Sequence, residues 1–314
     1  MKKVDLSIVI PVYNEQDNVD DLHSKLDAYL GSLSLNVELV FVDDGSQDKS
    51  VGALCSKQFK NARVKIVRLS KNFGSHAAIR AGFQNASADI CMIYFMDMQE
   101  PFEIIEQFYT KIQEGYNIAY AERVGYQASL GSRIYGKLVR KLIVQDYPSN
   151  GVSCFMIDKK VKDEFNRNIE SNSSIYFQLF TLGFKKTGIP CVCKERKNGK
   201  SGWTFSKKAR LLVDSFIAFS KAPAHFVTTI GAIMAIIGIL WAIVIVIIKL
   251  FNLVPLSAGW PTLMALLLFG FGITNLSIGI IAEYLWRTLD AARKRPVFIV
   301  EEIIDCDKKE EELL

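Results

Sequence analysis

Residues 37–48, VELVFVDDGSQD, decide the fold. Six mostly apolar residues, rich in β-branched types, break into two carboxylates and a Gly-Ser turn, as expected of a strand covered on both faces that ends in polar groups. Three further runs have the same build: LSIVI (6–10), VKIVRL (64–69) and ICMIYFM (90–96). Between them lie helical patterns. Val19, Leu22, Leu26 and Leu30 share one face behind the capping-type residues Asn14 and Asp17, and residues 47–58 and 75–86 predict a second and a third helix. After the fourth strand, Pro101 suits a first helical position, and Ile104, Ile105, Phe108 and Ile112 recur at helical spacing. Strand and helix in alternation predict an α/β fold around a parallel sheet.

In such sheets ligands sit beyond the carboxyl ends of the strands. Three polar clusters are expected there: PVYNE (11–15), DDGSQD (43–48) and DMQE (97–100). A strand end carries Asp or Gly for turn chemistry alone, but three such ends converge on one cleft. Glu100 and Glu103 read as carboxylates that suit the positive end of the following helix, with no further duty.

Half of the 314 residues are hydrophobic, and the excess is concentrated. Residues 226–248 and 260–282 are two charge-free runs of 23 residues. At about 1.5 Å per residue each forms roughly 34 Å of helix, enough to cross a hydrocarbon core of about 30 Å. Lys207, Lys208, Arg210 and Lys221 precede the first run, and Arg287, Arg293, Lys294 and Arg295 follow the second. The positive-inside rule then places both termini in the cytoplasm and residues 249–259 outside. Residues 1–15 show no signal-peptide pattern, so the first 200 or so residues are expected to stay cytosolic. The organisation expected is a catalytic domain over 1–204, an amphipathic interfacial helix over 205–222, two transmembrane helices within 223–286, and a cytosolic tail over 287–314. In that tail RPVFIVEEIID (295–305) predicts a strand that packs back on the soluble domain.

The net charge of +5 comes largely from basic groups beside the apolar runs, which suits anionic headgroups, and no nucleic-acid-binding motif appears. Six cysteines are expected to stay reduced on the cytosolic side, and Cys191 and Cys193 lack zinc-site spacing. His23, His76 and His225 are scattered and predict packing or surface roles. Gly231, Gly270, Gly272 and Gly279 read as close-packing points between helices. Residues 115–200 resist parsing. Arg123, Arg133, Lys137, Arg140 and Lys141 form a basic cluster there, open to both a solvated helix face and an anion site.

SIVIPVYNEQDNV, ELVFVDDGSQDKS, VRLSKNFGSHAAIRAGF, MDMQEPFEII and GKSGWTFSKKARLLVDSFIAFSKAP, followed by two spans, resemble in that order the glycosyltransferase family 2 enzymes of the polyprenyl-phosphate type. The resemblance covers roughly residues 5–300. It implies a GT-A (Rossmann-like) catalytic domain, a nucleotide sugar donor, a polyprenyl phosphate acceptor and Mg²⁺ or Mn²⁺ as cofactor. Carried over residue by residue, it places Pro11, Tyr13 and Glu15 at the nucleoside, Asp43 on the base with Asp44 nearby, and Lys200 in a loop over the donor. Asp97 and Gln99 would face the diphosphate and its metal, and Arg123, Arg133 and Lys137 the acceptor phosphate, with Asp97, Arg123 and Arg133 as the catalytic set.

Three positions depart from the family pattern. Phe95 stands where the first acid of a DxD motif is usual, Ser153 near a usual Asp, and Gly202 in place of a usual Arg or Lys. The function implied is inverting transfer of a sugar, UDP-linked glucose or N-acetylglucosamine, to undecaprenyl phosphate at the inner (plasma) membrane. The lipid-linked monosaccharide would pass to a flippase and a transferase that uses it for cell-surface polymers; self-association stays open. The departures keep one alternative alive, a catalytically silent nucleotide-sugar binder or partner subunit. A processive synthase is disfavoured by the absence of QxxRW, and an NAD-dependent dehydrogenase by the absence of GxGxxG after the first strand.

Overall fold

A computed structural model of the chain describes residues 3–125, 136–137, 139–141, 144–148, 150–168, 174–194, 222–251, 259–293 and 295–306. They fall into two compact units, residues 1–211 with 296–314, and residues 212–295.

The first unit is built on one eight-stranded sheet. Its strands are β1 (Leu6–Val12), β2 (Val37–Asp43), β3 (Ala62–Leu69), β4 (Ile90–Ile93), β5 (Ile118–Arg123), β6 (Val152–Ile157), β7 (Lys186–Cys191) and β8 (Val300–Asp305). Their order is β7-β5-β6-β4-β1-β2-β3-β8. The four sequence-predicted strands form its parallel centre, with Val9 opposite Val40 on one side and Ile93 on the other. All seven residues of β2 are buried, as its unbroken apolar run requires. From β1 the chain passes to β2 and β3 on one side and returns to β4 on the other. That reversal opens a crevice beyond the carboxyl ends of β1 and β4, where such sheets bind ligands.

Helices α1 (Val19–Leu30), α2 (Ser50–Cys55), α3 (Ser75–Asn85) and α4 (Glu103–Gln113) connect these strands. On α1 the buried residues are Val19, Leu22, Leu26 and Leu30; on α4 they are Ile104, Ile105, Phe108 and Ile112, the faces that the periodicity predicts. Boundaries differ. Helix α2, Ser50–Cys55, is shorter than 47–58, and at its start Asp48 accepts the Ser50 N–H. Strand β4 stops before 96. Tyr94 N–H still donates to Val9, but a turn from Phe95 to Met98 (φ 47°) then lifts the chain off the sheet. Asn14 and Asp17 do not cap α1: Asn14 Oδ1 instead accepts the Gln47 N–H, and Asp17 lies in a 3-10 turn, Gln16–Asn18.

Helix α3 lies so close to the sheet that a Cβ on Gly82 would stand 2.1 Å from Val9 Cγ1 and 3.1 Å from Val42 Cγ2. Overpacking of this kind typically costs about 1–3 kcal/mol. Gly82→Ala is therefore expected to lower the thermal midpoint of the full chain; an unchanged midpoint would show that α3 can back away from β1 and β2.

At the opposite end of the sheet, Glu38 is buried and accepts hydrogen bonds from Ser7, Ser87 and Lys65. Burial alone would raise its pKa, but these bonds together bring it below the ordinary value. They lock β1, β2 and β3 at the end away from the crevice. The stretch that resisted parsing holds β5, β6 and β7 with α5 (Lys159–Arg167) and α6 (Ile175–Thr181); β6 runs antiparallel to β4 and β5. Strand β8 runs antiparallel to β3, so RPVFIVEEIID does return to the first unit, and the tail is not separate from it.

The second unit holds α7 (Ala222–Leu250) and α8 (Trp260–Arg293), 29 and 34 residues long. They contain the runs 226–248 and 260–282, and α8 continues eleven residues past the second. Among the described residues no helix is long and apolar enough to cross a membrane. The interfacial helix expected over 205–222 lies almost wholly outside the described residues.

Candidate active site

Two loops at the carboxyl ends of β1 and β2 are stitched into one rim. Asn14 N–H donates to Ser46 Oγ (3.0 Å), Gln47 N–H to Asn14 Oδ1 (2.9 Å) and Glu15 N–H to Ser50 Oγ (2.8 Å). Asp43 is buried and accepts the Ser46 N–H at 3.1 Å. Asp44, also buried, accepts the N–H groups of Phe73 and Gly74 at 2.7 and 2.9 Å. Burial pushes its pKa up, although both bonds oppose the shift. Gly45 (φ 71°) makes this packing feasible, because a Cβ there would stand 2.6 Å from the Lys71 carbonyl carbon. The rim thus brings together Pro11, Tyr13, Glu15, Asp43 and Asp44; Tyr13 is exposed on it, as a ring available for stacking would be.

The β4 turn carries a second group. Asp97 and Gln99 line a cavity of about 230 Å³ with Arg123 from the end of β5, Phe95, Glu100, Ser75, His76, Val152, Ser153 and Tyr176. Gln99 Nε2 donates to Asp97 Oδ2 at 2.7 Å. Of the sequence-predicted catalytic residues, Asp97 and Arg123 meet here, while Arg133 lies outside the described residues, as do Lys200 and Gly202. Lys137 is exposed and does not line the cavity.

Buried polar groups in folded proteins almost always find a partner, so those that do not call for an explanation. Four buried side-chain atoms without a hydrogen-bond partner belong to this cavity's wall: His76 Nε2, Glu100 Oε2, Arg123 Nε and Ser153 Oγ. Leaving such atoms unpaired costs about 1–3 kcal/mol each, which a polar ligand would recover.

One of them corrects the sequence reading and another extends it. Glu100 does not serve the helix dipole, because α4 begins only at Glu103, which with Glu106 fills that role. Instead it is buried, with a pKa raised by burial against the opposing effects of Ser153 and Arg123. His23 is the packing residue foreseen, its Nε2 2.9 Å from the Gln58 carbonyl and its ring against Phe59. His76 packs too, edge-to-face on Tyr176, but with Nε2 left on the cavity wall; burial, with Arg80 nearby, lowers its pKa to about 4 and keeps it neutral at pH 7. Pro101, which bars the helix from starting earlier, was the one local signal that pointed to Glu100. For His76 there was none.

Among the described residues no group of three His, Cys, Asp or Glu side chains could hold a metal ion. One carboxylate beside one side-chain amide fits a hard cation that takes its remaining oxygens from substrate phosphates and water, as Mg²⁺ does. Asp97 and Gln99 meet that minimum and no more.

A model of the family "Glycosyl transferase family 2" matches residues 7–183. The uncharacterized glycosyltransferase YkcC of Bacillus subtilis is 31% identical over 313 residues, covering 98% of this chain and 97% of its own. An undecaprenyl-phosphate 4-deoxy-4-formamido-L-arabinose transferase of Photorhabdus laumondii is 28% identical, with 98% and 96% covered. Among solved structures, mannosyl-3-phosphoglycerate synthase from Rubrobacter xylanophilus shares the fold at a TM-score of 0.50 and 13% identity, over 73% of this chain and 75% of that one. With the family model spanning more than half its length and a relative similar from end to end, this chain belongs to glycosyl transferase family 2 and has its GT-A fold.

Proposed function

We propose that the protein transfers a sugar from a nucleotide sugar, a UDP-linked hexose, to the phosphate of a polyprenyl phosphate such as undecaprenyl phosphate, with inversion. One observation carries the reading: Asp97, Gln99 and Arg123 meet in a cavity whose wall holds four unpartnered polar atoms. End-to-end similarity to a relative named for transfer to undecaprenyl phosphate supports the choice of acceptor.

The chemistry asks little of a base. A phosphate monoester with a second pKa near about 6 is largely dianionic at neutral pH. Its oxygen attacks the anomeric carbon while the bond from that carbon to the diphosphate oxygen breaks, and the nucleoside diphosphate leaves with the electron pair. The protein must align the acceptor and stabilise the leaving charge. Arg123 serves the first need, through a guanidinium suited to phosphate. Asp97 and Gln99 would hold a divalent cation, whose contribution is to neutralise charge on the diphosphate. Tyr13, Asp43 and the rest of the rim would take the nucleoside.

The same proposal has α7 and α8 cross the plasma membrane, with both termini cytoplasmic. The support is the full sequence, whose two charge-free runs of 23 residues each make about 34 Å of helix against a hydrocarbon core of about 30 Å. Large apolar side chains stand exposed along them, Leu240, Trp241, Phe269, Phe271 and Ile281 among them, more than water-facing helices normally tolerate.

The test is transfer by the purified full chain in detergent, from UDP- and GDP-sugars to undecaprenyl phosphate, with Mg²⁺, with Mn²⁺ and with chelator. Transfer from one donor, lost on chelation, is the expected result. Phe95 on the cavity wall, where an acid would strengthen a metal site, favours one rival, a silent nucleotide-sugar binder. Binding without transfer under every condition would select it.

A further inference from the structure

Two of the unpartnered atoms suggest which part of the ligand the cavity reads. The Ile175 N–H donates to His76 Nδ1 at 3.4 Å, which leaves the hydrogen of the neutral ring on Nε2. That Nε2 is buried, has no partner and lies on the cavity wall. The ring is held edge-to-face against Tyr176 at 5.7 Å between centroids, and the Tyr176 hydroxyl donates to the Ser153 carbonyl at 3.3 Å. His76 is thus a fixed, uncharged donor.

Glu100 is a fixed acceptor. Its backbone carbonyl accepts the Tyr94 hydroxyl at 2.5 Å, and the neighbouring Gln99 carbonyl accepts the Lys194 N–H at 2.7 Å. Oε1 has the Cys193 thiol 3.8 Å away; the Ser153 hydroxyl and the Arg123 charge act on the carboxylate from nearby, but Oε2 makes no hydrogen bond of ordinary geometry. A carboxylate repels a phosphate, so this part of the wall is ill suited to the acceptor or to the diphosphate. A neutral polyhydroxyl group, whose hydroxyls both donate and accept, matches a carboxylate beside an imidazole N–H. The cavity, about 230 Å³, is also smaller than the roughly 300–1,000 Å³ clefts that enclose larger ligands, and suits one sugar ring.

We propose that His76 and Glu100 are specificity-determining residues: Nε2–H of His76 donates to, and the carboxylate of Glu100 accepts from, hydroxyls of the sugar being transferred. This rests on the reading of the protein as a nucleotide-sugar enzyme. It adds that sugar identity is read from Glu100 on the β4 turn and His76 at the start of α3, beside the residues that hold the phosphates.

Calorimetric titration of the full chain tests it without relying on turnover. The probes are UDP-glucose, UDP-N-acetylglucosamine and GDP-mannose, each against its free nucleoside diphosphate. Wild type is expected to bind one nucleotide sugar more tightly than the matching diphosphate. Glu100→Gln and His76→Ala should each leave affinity for the diphosphate within about twofold and cut that advantage, by about 10-fold or more for the bond to the charged Glu100 and by about 3- to 10-fold for the neutral His76 bond. Glu100→Gln keeps the side-chain shape, and its thermal midpoint, measured alongside, separates lost sugar recognition from lost folding. Variants that keep the advantage of the sugar, or that weaken sugar-bearing and sugar-free ligands equally, would overturn the assignment. If wild type binds none of these five ligands, the nucleotide-sugar reading itself falls, and this assignment with it.

Discussion

Asp97→Asn is expected to reduce sugar transfer by about 10²–10³-fold, the loss typical when a group that stabilises developing charge is removed. Asp97 lies on the β4 turn and lines the cavity beside Gln99, with Gln99 Nε2 donating to it at 2.7 Å. Phe95, two residues earlier, has no oxygen to offer in its place. Glu100, though on the same wall, is buried and its pKa is raised. An amide at position 97 keeps the shape and most of the hydrogen bonding but gives up the charge that attracts a cation. Nucleotide affinity measured without divalent cation should change little, because the rim around Asp43 is untouched. Initial transfer rates at saturating donor and acceptor check the prediction. Activity within about threefold of wild type would remove Asp97 from the chemistry and shift attention to Glu100.

Arg123→Ala should cost about 10²-fold in kcat/KM for the lipid phosphate, with a much smaller change for the nucleotide sugar. The residue sits where β5 ends. Asn150 Nδ2 donates to its carbonyl at 2.9 Å, and the next N–H, that of Val124, donates to the Cys191 carbonyl at 3.0 Å, so the backbone is tied down while Nε lacks a partner. Such a guanidinium is preorganised for an anion. Lysine keeps the charge and loses the planar fork, so Arg123→Lys should recover part of the rate but not all of it. The lysine variant also controls for stability: Arg123 offsets part of the burial penalty on Glu100, and its removal leaves that carboxylate without the opposing charge. Loss that falls equally on donor and acceptor would contradict an acceptor-phosphate role.

What the sequence alone determined was local. Apolar runs named the four parallel strands, and side chains spaced at three and four residues named the buried faces of α1 and α4, because a strand or helix reports its environment through its own period. The polar clusters 11–15, 43–48 and 97–100 were legible for the same reason: they interrupt those periods where each strand ends. RPVFIVEEIID was readable as a strand but not as the partner of β3, since nothing in its residues names the edge it joins. Residues 115–200 stayed opaque because their strands are short and β7 is mostly half-buried, which blurs the alternation. The membership of the cavity was decided by tertiary structure alone. His76, Asp97, Glu100, Arg123, Ser153 and Tyr176 come from five segments and meet only because β4, β5, β6, α3 and α6 converge at one end of the sheet. Glu100 and Glu103, three residues apart, look alike in sequence. The start of α4 turns one into a solvated helix-end charge and the other into a buried acceptor, because burial and the lack of a partner are properties of the assembled surroundings rather than of the residue.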